Sequence, residues 1–268
     1  MTKLPLNVSE TRWQQAQQWE LAIWRDLYAL YHTSRRARLS RLLRLLTLRR
    51  PAPVEMDDWN YWWREKFEGY HFLPDQIENA IELGCGPFTN MRLILPGRKV
   101  KHVFCSDPLA RRYVALKGTW LSRAWRKGDV LIDDHPIENC PFASDYFGLV
   151  VLVNVLDHVQ DAVLCLRQAI RITAPGGHLV VGQDLSDEED LQRAGEDIGH
   201  PVRIPRGVLD AELGPCFDPV LFKVLPREQG RNPEAHCGTY IFAGRKRSAQ
   251  PAPDPGAAPT SESRGPMR

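Results

Sequence analysis

The chain has 268 residues, of which 43% are hydrophobic, and 35 basic residues nearly balance 33 acidic ones, so the net charge at pH 7 is +2. This length allows one substantial hydrophobic core and excludes a second large catalytic domain. The balanced charge excludes the strong positive field of a protein that coats nucleic acid. No stretch holds the roughly 20 consecutive apolar residues that are needed to cross a bilayer.

Two amphipathic helices are predicted near the N-terminus. Between residues 7 and 31, apolar side chains recur along one side of a helix, which therefore needs a partner surface. Residues 35–50 combine leucines at i, i+3, i+4 and i+7 with many arginines, which predicts a basic amphipathic helix. Its leucines could dock on the domain, or the helix could contact a membrane surface or a polyanionic substrate, and the sequence leaves both open.

An aromatic-rich stretch follows at residues 59–72. Aromatic rings at this density suit the lining of a pocket for a flat or sugar-like ligand. They suit equally well the packing between N-terminal helices and a sheet. Both interpretations stay open, and each can hold for different rings.

From about residue 78, short apolar runs alternate with helical or turn segments, the pattern of a parallel sheet covered by helices on both faces. The fold class predicted is α/β, with a doubly wound, mostly parallel seven-stranded sheet and N-terminal accessory helices. The best-marked helix begins near Asp161 and stops at Ala174-Pro175-Gly176-Gly177. The predicted strands are 78–83, 100–105, 129–133, 148–153, 178–183, 219–224 and 238–243.

The predicted organisation is a helical accessory region at residues 1–75, the α/β domain at 76–245 and a disordered tail at 246–268. The tail is rich in Pro and Ser and poor in apolar bulk. The six cysteines form no CxxC pair and are interpreted as small buried hydrophobic residues in a reducing, cytoplasmic compartment.

A glycine-containing loop carries the strongest chemical signal. The predicted strand ending at 81–83 leads into Gly84-Cys85-Gly86, and a helix is expected from about Asn90. Glycines let backbone amides approach a ligand closely. Asp107 ends the next predicted strand, where its carboxylate can accept hydrogen bonds from two ribose hydroxyls. A dinucleotide fingerprint would need a third glycine where Thr89 stands, which disfavours a nicotinamide cofactor.

The segment Glu82-Leu83-Gly84-Cys85-Gly86-Pro87 resembles the first motif of class I S-adenosylmethionine-dependent methyltransferases. Further segments resemble later motifs of that family in the same order, and the resemblance covers roughly residues 76–184. The chain departs from the family pattern at Cys140, Gly148 and Pro87-Phe88. The later segments are 107–109, 138–142, 147–151, 154–159 and 171–177.

The resemblance implies S-adenosylmethionine as the cofactor and assigns residues to it. Glu82, Gly84 and Gly86 would line the methionine portion, and Asp107 would hold the ribose. Ile137 and Glu138 would flank the adenine, and Asn154 would lie beneath the cofactor. Three of these residues have a structural alternative: Glu82 as a cap of the next turn, Glu138 as a solvated loop acid and Asn154 as a partner for strand-end backbone. The full set of cofactor-binding candidates is Glu82, Gly84, Cys85, Gly86, Asp107, Ile137, Glu138 and Asn154.

Methyl transfer needs alignment of two ligands and no protein nucleophile, but a hydroxyl acceptor benefits from a general base. His158, which follows the fourth predicted strand, is the candidate, although it could merely bond backbone; His200 and Asp184 are further candidates. No spacing resembles a metal site, so no metal is predicted. The amino-methylating signature after the fourth strand is also absent, and no specific nucleic-acid partner is expected.

Segments 20–24 and 63–70 resemble those that precede the catalytic domain in some bacterial methyltransferases of glycan or secondary metabolism. The function predicted is therefore O-methylation of a small-molecule or sugar-like acceptor. The alternative is a catalytically silent module that binds S-adenosylmethionine. The sequence does not determine the acceptor or the oligomeric state.

Overall fold

The computed structural model describes residues 4–33, 59–194 and 197–248. The predicted basic helix at 35–50 and the tail beyond residue 248 lie outside the described residues. Among the residues described, no helix is both long enough and apolar enough to cross a membrane.

One seven-stranded sheet forms the centre of the molecule, in the order β3-β2-β1-β4-β5-β7-β6. Strand β7 runs antiparallel to both of its neighbours, and the other pairs are parallel. The predicted doubly wound, mostly parallel fold is therefore confirmed. The strands are β1 (Gln76–Leu83), β2 (Lys99–Ser106), β3 (Leu131–Asp133), β4 (Phe147–Val153), β5 (Thr173–Leu185), β6 (Phe217–Pro226) and β7 (Gly238–Lys246).

Helices flank the sheet. Two of them have clear sequence signals at their ends: the Thr119 hydroxyl accepts a bond from the Ser122 amide, and the Asp161 carboxylate accepts one from the Leu164 amide. The α-helices of the described residues are α1 (Glu10–Thr33), α2 (Trp59–Lys66), α3 (Met91–Ile94), α4 (Ala110–Tyr113), α5 (Trp120–Lys127), α6 (Ala162–Ile172), α7 (Glu188–Ala194) and α8 (Arg206–Leu213).

Each face of the sheet carries its own core. Alternate residues of a strand point to opposite faces, so Val150 and Leu152 pack with α6 while Leu149 and Val151 pack on the other side. The aromatic stretch at 59–72 supplies much of that second core, because its rings Trp63, Phe67 and Tyr70 are fully buried there. The packing interpretation of this stretch thus holds for those rings.

The first described residues bind the N-terminal segment to the start of α6 and to the loop before α8. The Val8 amide donates to the Gln160 carbonyl (2.9 Å), and the Leu6 carbonyl accepts from the Ala162 amide (3.0 Å). The Pro5 carbonyl accepts from the amide of residue 203 (2.9 Å). These bonds anchor α1, which follows directly, over the carboxyl ends of the parallel strands.

The predicted start of β5 is wrong. Strand β5 begins at Thr173 and runs through the Pro-Gly-Gly segment that predicted a turn, because the pairing with β4 is irregular between Phe147 and Leu149 and absorbs the extra residues. The helix expected from about Asn90 begins at Met91, which confirms its start, and is only four residues long.

Candidate functional site

A cavity of about 350 Å³ opens at the carboxyl ends of β1 and β4 and is covered by α1. The strand order reverses between these two strands, and doubly wound sheets bind ligands at such a switch point. The predicted residues that line the cavity are Glu82, Gly84, Cys85, Gly86, Asp107, Ile137, Glu138, Asn154, His158 and His200. The structure thus brings these residues together, and the role of each stays a prediction.

Two glycines shape the loop after β1, and each adopts a positive φ, +67° for Gly84 and +54° for Gly86. A Cβ on Gly84 would lie 2.0 Å from a methyl carbon of Val155, so only glycine allows this close approach. A Cβ on Gly86 would meet nothing within 4 Å. The first glycine therefore serves packing, and the second leaves open space for a ligand.

Asp107 joins the end of β2 to this loop. Its Oδ2 accepts a hydrogen bond from the Gly86 amide (3.1 Å) and its Oδ1 accepts one from the Leu109 amide (2.8 Å). Burial, together with the nearby negative charges of Glu20 and Glu82, raises the pKa of this carboxyl to about 7. A buried carboxylate beside an open glycine bend fits an adenosyl group, whose ribose hydroxyls are donors.

Glu82 caps the turn that follows β1, the structural role considered as the alternative to cofactor binding. Its Oε1 accepts bonds from the Asn90 amide (3.0 Å) and side chain (2.9 Å), while its Oε2 accepts from the Thr89 hydroxyl and the Met91 amide (3.2 Å). Burial raises the pKa of Glu82, although these bonds oppose the shift. The residue therefore caps the turn before α3, and its contact with the methionine portion stays a prediction.

Glu138 also holds backbone in place, whereas the side chain of Asn154 binds another side chain. The Glu138 Oε1 accepts from the amides of Gln160 (2.7 Å) and Asp161 (3.0 Å), so it is not a solvated acid. Asn154 has a φ of +54°, and its side-chain oxygen accepts from Arg231 (2.9 Å). Both residues fix loops that border the cavity.

The cavity also has aromatic walls. Trp13, Trp19 and Trp24 of α1 line it together with Trp59. The pocket interpretation of the aromatic stretch therefore holds for Trp59. Arg231 lies over the Trp59 ring at 4.9 Å from its centroid.

Asp184 is unsuited to the role of a base that the sequence offered for it. It does not line the cavity, and its Oδ2 and Oδ1 accept bonds from Arg231 (2.8 Å) and the Thr239 hydroxyl (3.0 Å). An ion-paired, buried carboxylate of this kind positions Arg231 instead. Sequence reasoning missed Arg231, which no recognisable motif marks.

His158 lies where α1 meets the loop after β4. Its Nδ1 is 3.7 Å from the Oε2 of Glu20, and its ring centroid is 4.5 Å from that of His200. Glu20 is held in turn by the Tyr113 hydroxyl (3.0 Å) and the Trp24 indole (3.3 Å), which donate to its Oε1. Sequence reasoning missed Glu20 as a site residue, although its segment carried a recognised resemblance.

Comparisons with known proteins agree with this geometry. Residues 81–181 match the model of a family described as a methyltransferase domain. The fold resembles that of the N-methyltransferase NodS from Bradyrhizobium japonicum WM9 in complex with S-adenosyl-L-homocysteine, with 17% identity, a TM-score of 0.52 and coverage of 71% of this chain and 87% of NodS. No curated protein sequence matches the chain.

Two further structures share the fold. A putative sarcosine dimethylglycine methyltransferase from Galdieria sulphuraria is 11% identical, with a TM-score of 0.55 and coverage of 70% of this chain and 85% of that chain. The [4+2]-cyclase SpnF is 14% identical, with a TM-score of 0.57 and coverage of 93% of this chain and all (100%) of SpnF. At these identities the likeness shows the fold alone.

The family match shows a methyltransferase domain. The sheet order and the glycine loop beside Asp107 are those of the class I S-adenosylmethionine-dependent methyltransferase fold. The chain carries the methyltransferase domain of that class at residues 81–181, and its cofactor is S-adenosylmethionine.

Asp107 yields a prediction about cofactor affinity. Because its pKa is about 7 in the free protein, the carboxyl is largely protonated below pH 7 and loses its capacity to accept two ribose bonds. We expect the affinity for S-adenosylmethionine to fall about 10-fold from pH 8 to pH 6. Asp107→Ala should weaken binding about 10- to 100-fold at pH 8 and remove the pH dependence. Calorimetric titration measures both effects.

Asp218→Asn serves as the control, since that carboxylate pairs with Arg247 at the surface and does not line the cavity. It should keep both the wild-type affinity and its pH dependence. An unchanged affinity in Asp107→Ala would reject the ribose assignment, and a pH dependence that persists in this variant would assign the titration to another group.

Proposed function

We propose that this enzyme transfers the methyl group to an oxygen atom of a small-molecule or sugar-like acceptor. The observation that carries the proposal is a single cavity whose lining includes both the Gly84–Gly86 loop with Asp107 and a set of tryptophans with His158. S-adenosylmethionine supplies an activated methyl group on its sulfonium. The protein's own contribution is to align the two ligands and to exclude water, which is worth about 7–11 kcal/mol in well-oriented reactions.

The tryptophans of the cavity support the choice of acceptor. Aromatic faces suit flat or sugar-like molecules, and α1 contributes three of the tryptophans that line the cavity. A hydroxyl acceptor has to lose its proton, and we propose that His158 acts on that proton. Its place in the cavity lining, with its Nδ1 3.7 Å from the Oε2 of Glu20, supports this role.

A silent module that binds the cofactor remains the second candidate. The specific observation in its favour is the similarity in fold to SpnF, which is a [4+2]-cyclase. One fold can host different reactions, because the chemistry depends on the site. Two other similar structures carry names of nitrogen or amino-acid methylation, so nitrogen is the rival acceptor atom that a test has to address.

The deciding experiment incubates the full-length protein with methyl-labelled S-adenosylmethionine and a fractionated bacterial extract. We expect label in a small molecule, with the methyl group bonded to oxygen in the purified product. Label on nitrogen would contradict the oxygen assignment. Tight cofactor binding without labelled product from any fraction would favour the silent module. Asp107→Ala, incubated in parallel, controls for label that does not depend on the site.

The domain boundaries and location stay proposals as well. We keep residues 1–75 as an accessory region that covers the site, which the position of α1 supports. The free state of all six cysteines supports a reducing, cytoplasmic compartment. For residues 35–50, contact with a membrane surface or a polyanion is kept as the hypothesis that the sequence raised.

A further inference from the structure

Behind the acceptor side of the cavity, three potential ligand groups converge. One carboxylate oxygen of Asp157 and one ring nitrogen each of His158 and His200 all lie within 4.8 Å of one another. The two histidines line the cavity and Asp157 lies behind them. Residue spacing does not predict this cluster, because His200 reaches it from a loop more than 40 residues further along the chain.

Asp157 is the unusual member of the cluster. Only 3% of its surface is exposed, yet neither of its carboxylate oxygens accepts a hydrogen bond. The neighbouring Gln183 side chain donates instead to the Asp184 carbonyl (3.3 Å). A buried carboxylate without partners is costly unless a cation accompanies it. The position therefore calls for a positively charged partner in the cluster.

The two histidines are arranged to supply nitrogen ligands. The Nδ1 of His200 bonds to the Oδ2 of Asp197 (2.7 Å), which fixes the ring and directs its other nitrogen away from that carboxylate. A carboxylate behind a histidine is the usual support for a metal-binding imidazole. The Nδ1 of His158 makes no hydrogen bond, and its Nε2 is 3.9 Å from the Oδ1 of Asp157.

We infer that Asp157, His158 and His200 bind a divalent first-row transition-metal ion such as Zn²⁺, Mn²⁺ or Fe²⁺. Two imidazoles with one carboxylate are the ligand set that such ions accept, whereas Mg²⁺ prefers oxygen ligands alone. Because both histidines also line the cavity, an ion held at the cluster would be accessible to a molecule bound there.

The role of the ion in catalysis rests on the proposed function, whereas binding of the ion does not. An acceptor hydroxyl that binds to the ion releases its proton to water more readily, because the cation stabilises the oxyanion. That oxygen would then bond to the methyl carbon while the carbon–sulfur bond of the sulfonium breaks, and S-adenosylhomocysteine would leave with the electron pair. In this arrangement His158 acts on the acceptor's proton through the ion.

The test measures metal binding in the absence of cofactor and acceptor. Full-length protein stripped with EDTA is titrated with ZnCl₂ by calorimetry and with CoCl₂ by visible absorption. We expect one ion per chain and at least about 10-fold weaker binding in Asp157→Asn and in His200→Ala. His102→Gln is the matched control, since that exposed histidine bonds to Asn79 (2.8 Å) outside the cavity lining.

Several outcomes overturn the inference: no binding at all, equal affinity in both cluster variants and the wild type, or a preference for MgCl₂ over ZnCl₂. Circular dichroism confirms that each variant is folded, and His200→Ala provides the result if Asp157→Asn does not fold. The labelling experiment of the proposed function is independent. Zinc bound at the cluster without methyl transfer would defeat that function alone, and transfer without metal binding would defeat this inference alone.

Discussion

His158→Ala should lower kcat about 10²- to 10⁴-fold, the usual loss when a group that handles the acceptor's proton is removed. The affinity for S-adenosylmethionine should stay within about two-fold of the wild type. The Asp107 side chain bonds to the Gly86 and Leu109 amides, whereas the His158 side chain lies beside Glu20, so the two do not share a hydrogen bond in the described residues. Steady-state kinetics with the acceptor found by labelling, together with calorimetry of the cofactor, measures the two quantities.

The split between kcat and cofactor affinity distinguishes the roles of His158. A residue that merely supports the loop after β4 would change both quantities, and an unchanged kcat would reject any part in the reaction. His102→Gln is the control, because it changes a histidine outside the cavity and should keep full turnover.

Gly84→Ala should reduce the free energy of unfolding by about 2–5 kcal/mol. This loss is the sum of the cost of a left-handed backbone conformation at alanine and the cost of overpacking by its Cβ. The new Cβ would lie 2.0 Å from one methyl carbon of Val155 and 3.4 Å from the other. The strand end cannot move away easily, because β1 pairs with both β2 and β4. Urea unfolding of the full-length protein measures the loss.

Gly97→Ala separates the two causes. Gly97 also has a positive φ, +85°, but a Cβ there meets nothing within 4 Å, so it should lose only about 1–2 kcal/mol. Adding Val155→Ala to Gly84→Ala removes both methyl carbons and should recover part of the stability. A loss for Gly84→Ala no greater than that for Gly97→Ala would show that the contact with Val155 is unimportant.

The sheet was predictable because its central strands are buried on both faces and therefore appear as short, continuous apolar runs. Strand β4, for example, is apolar apart from Gly148 and almost wholly buried. The beginning of β5 was not predictable, because a Pro-Gly-Gly segment normally signals a turn and here lies in a strand with irregular pairing. Local signals report local conformation, whereas the register with a neighbouring strand depends on residues far away.

The cofactor half of the site was predictable for a related reason. Gly86 and Asp107 follow successive strands, and parallel neighbours end at the same edge of the sheet, so their proximity follows from the strand pattern. The acceptor half was not. Glu20 comes from α1, and His200 comes from a loop after β5, and only tertiary packing brings them to His158.

The bonds of residues 5–8 to Gln160, Ala162 and residue 203 have a consequence for biosynthesis. Helix α1 leaves the ribosome before its anchoring partners, which begin to emerge about 150 residues later at a synthesis rate of about 5–20 residues per second. For many seconds the nascent chain therefore carries a tryptophan-bearing helix whose anchoring partners have not yet been synthesised.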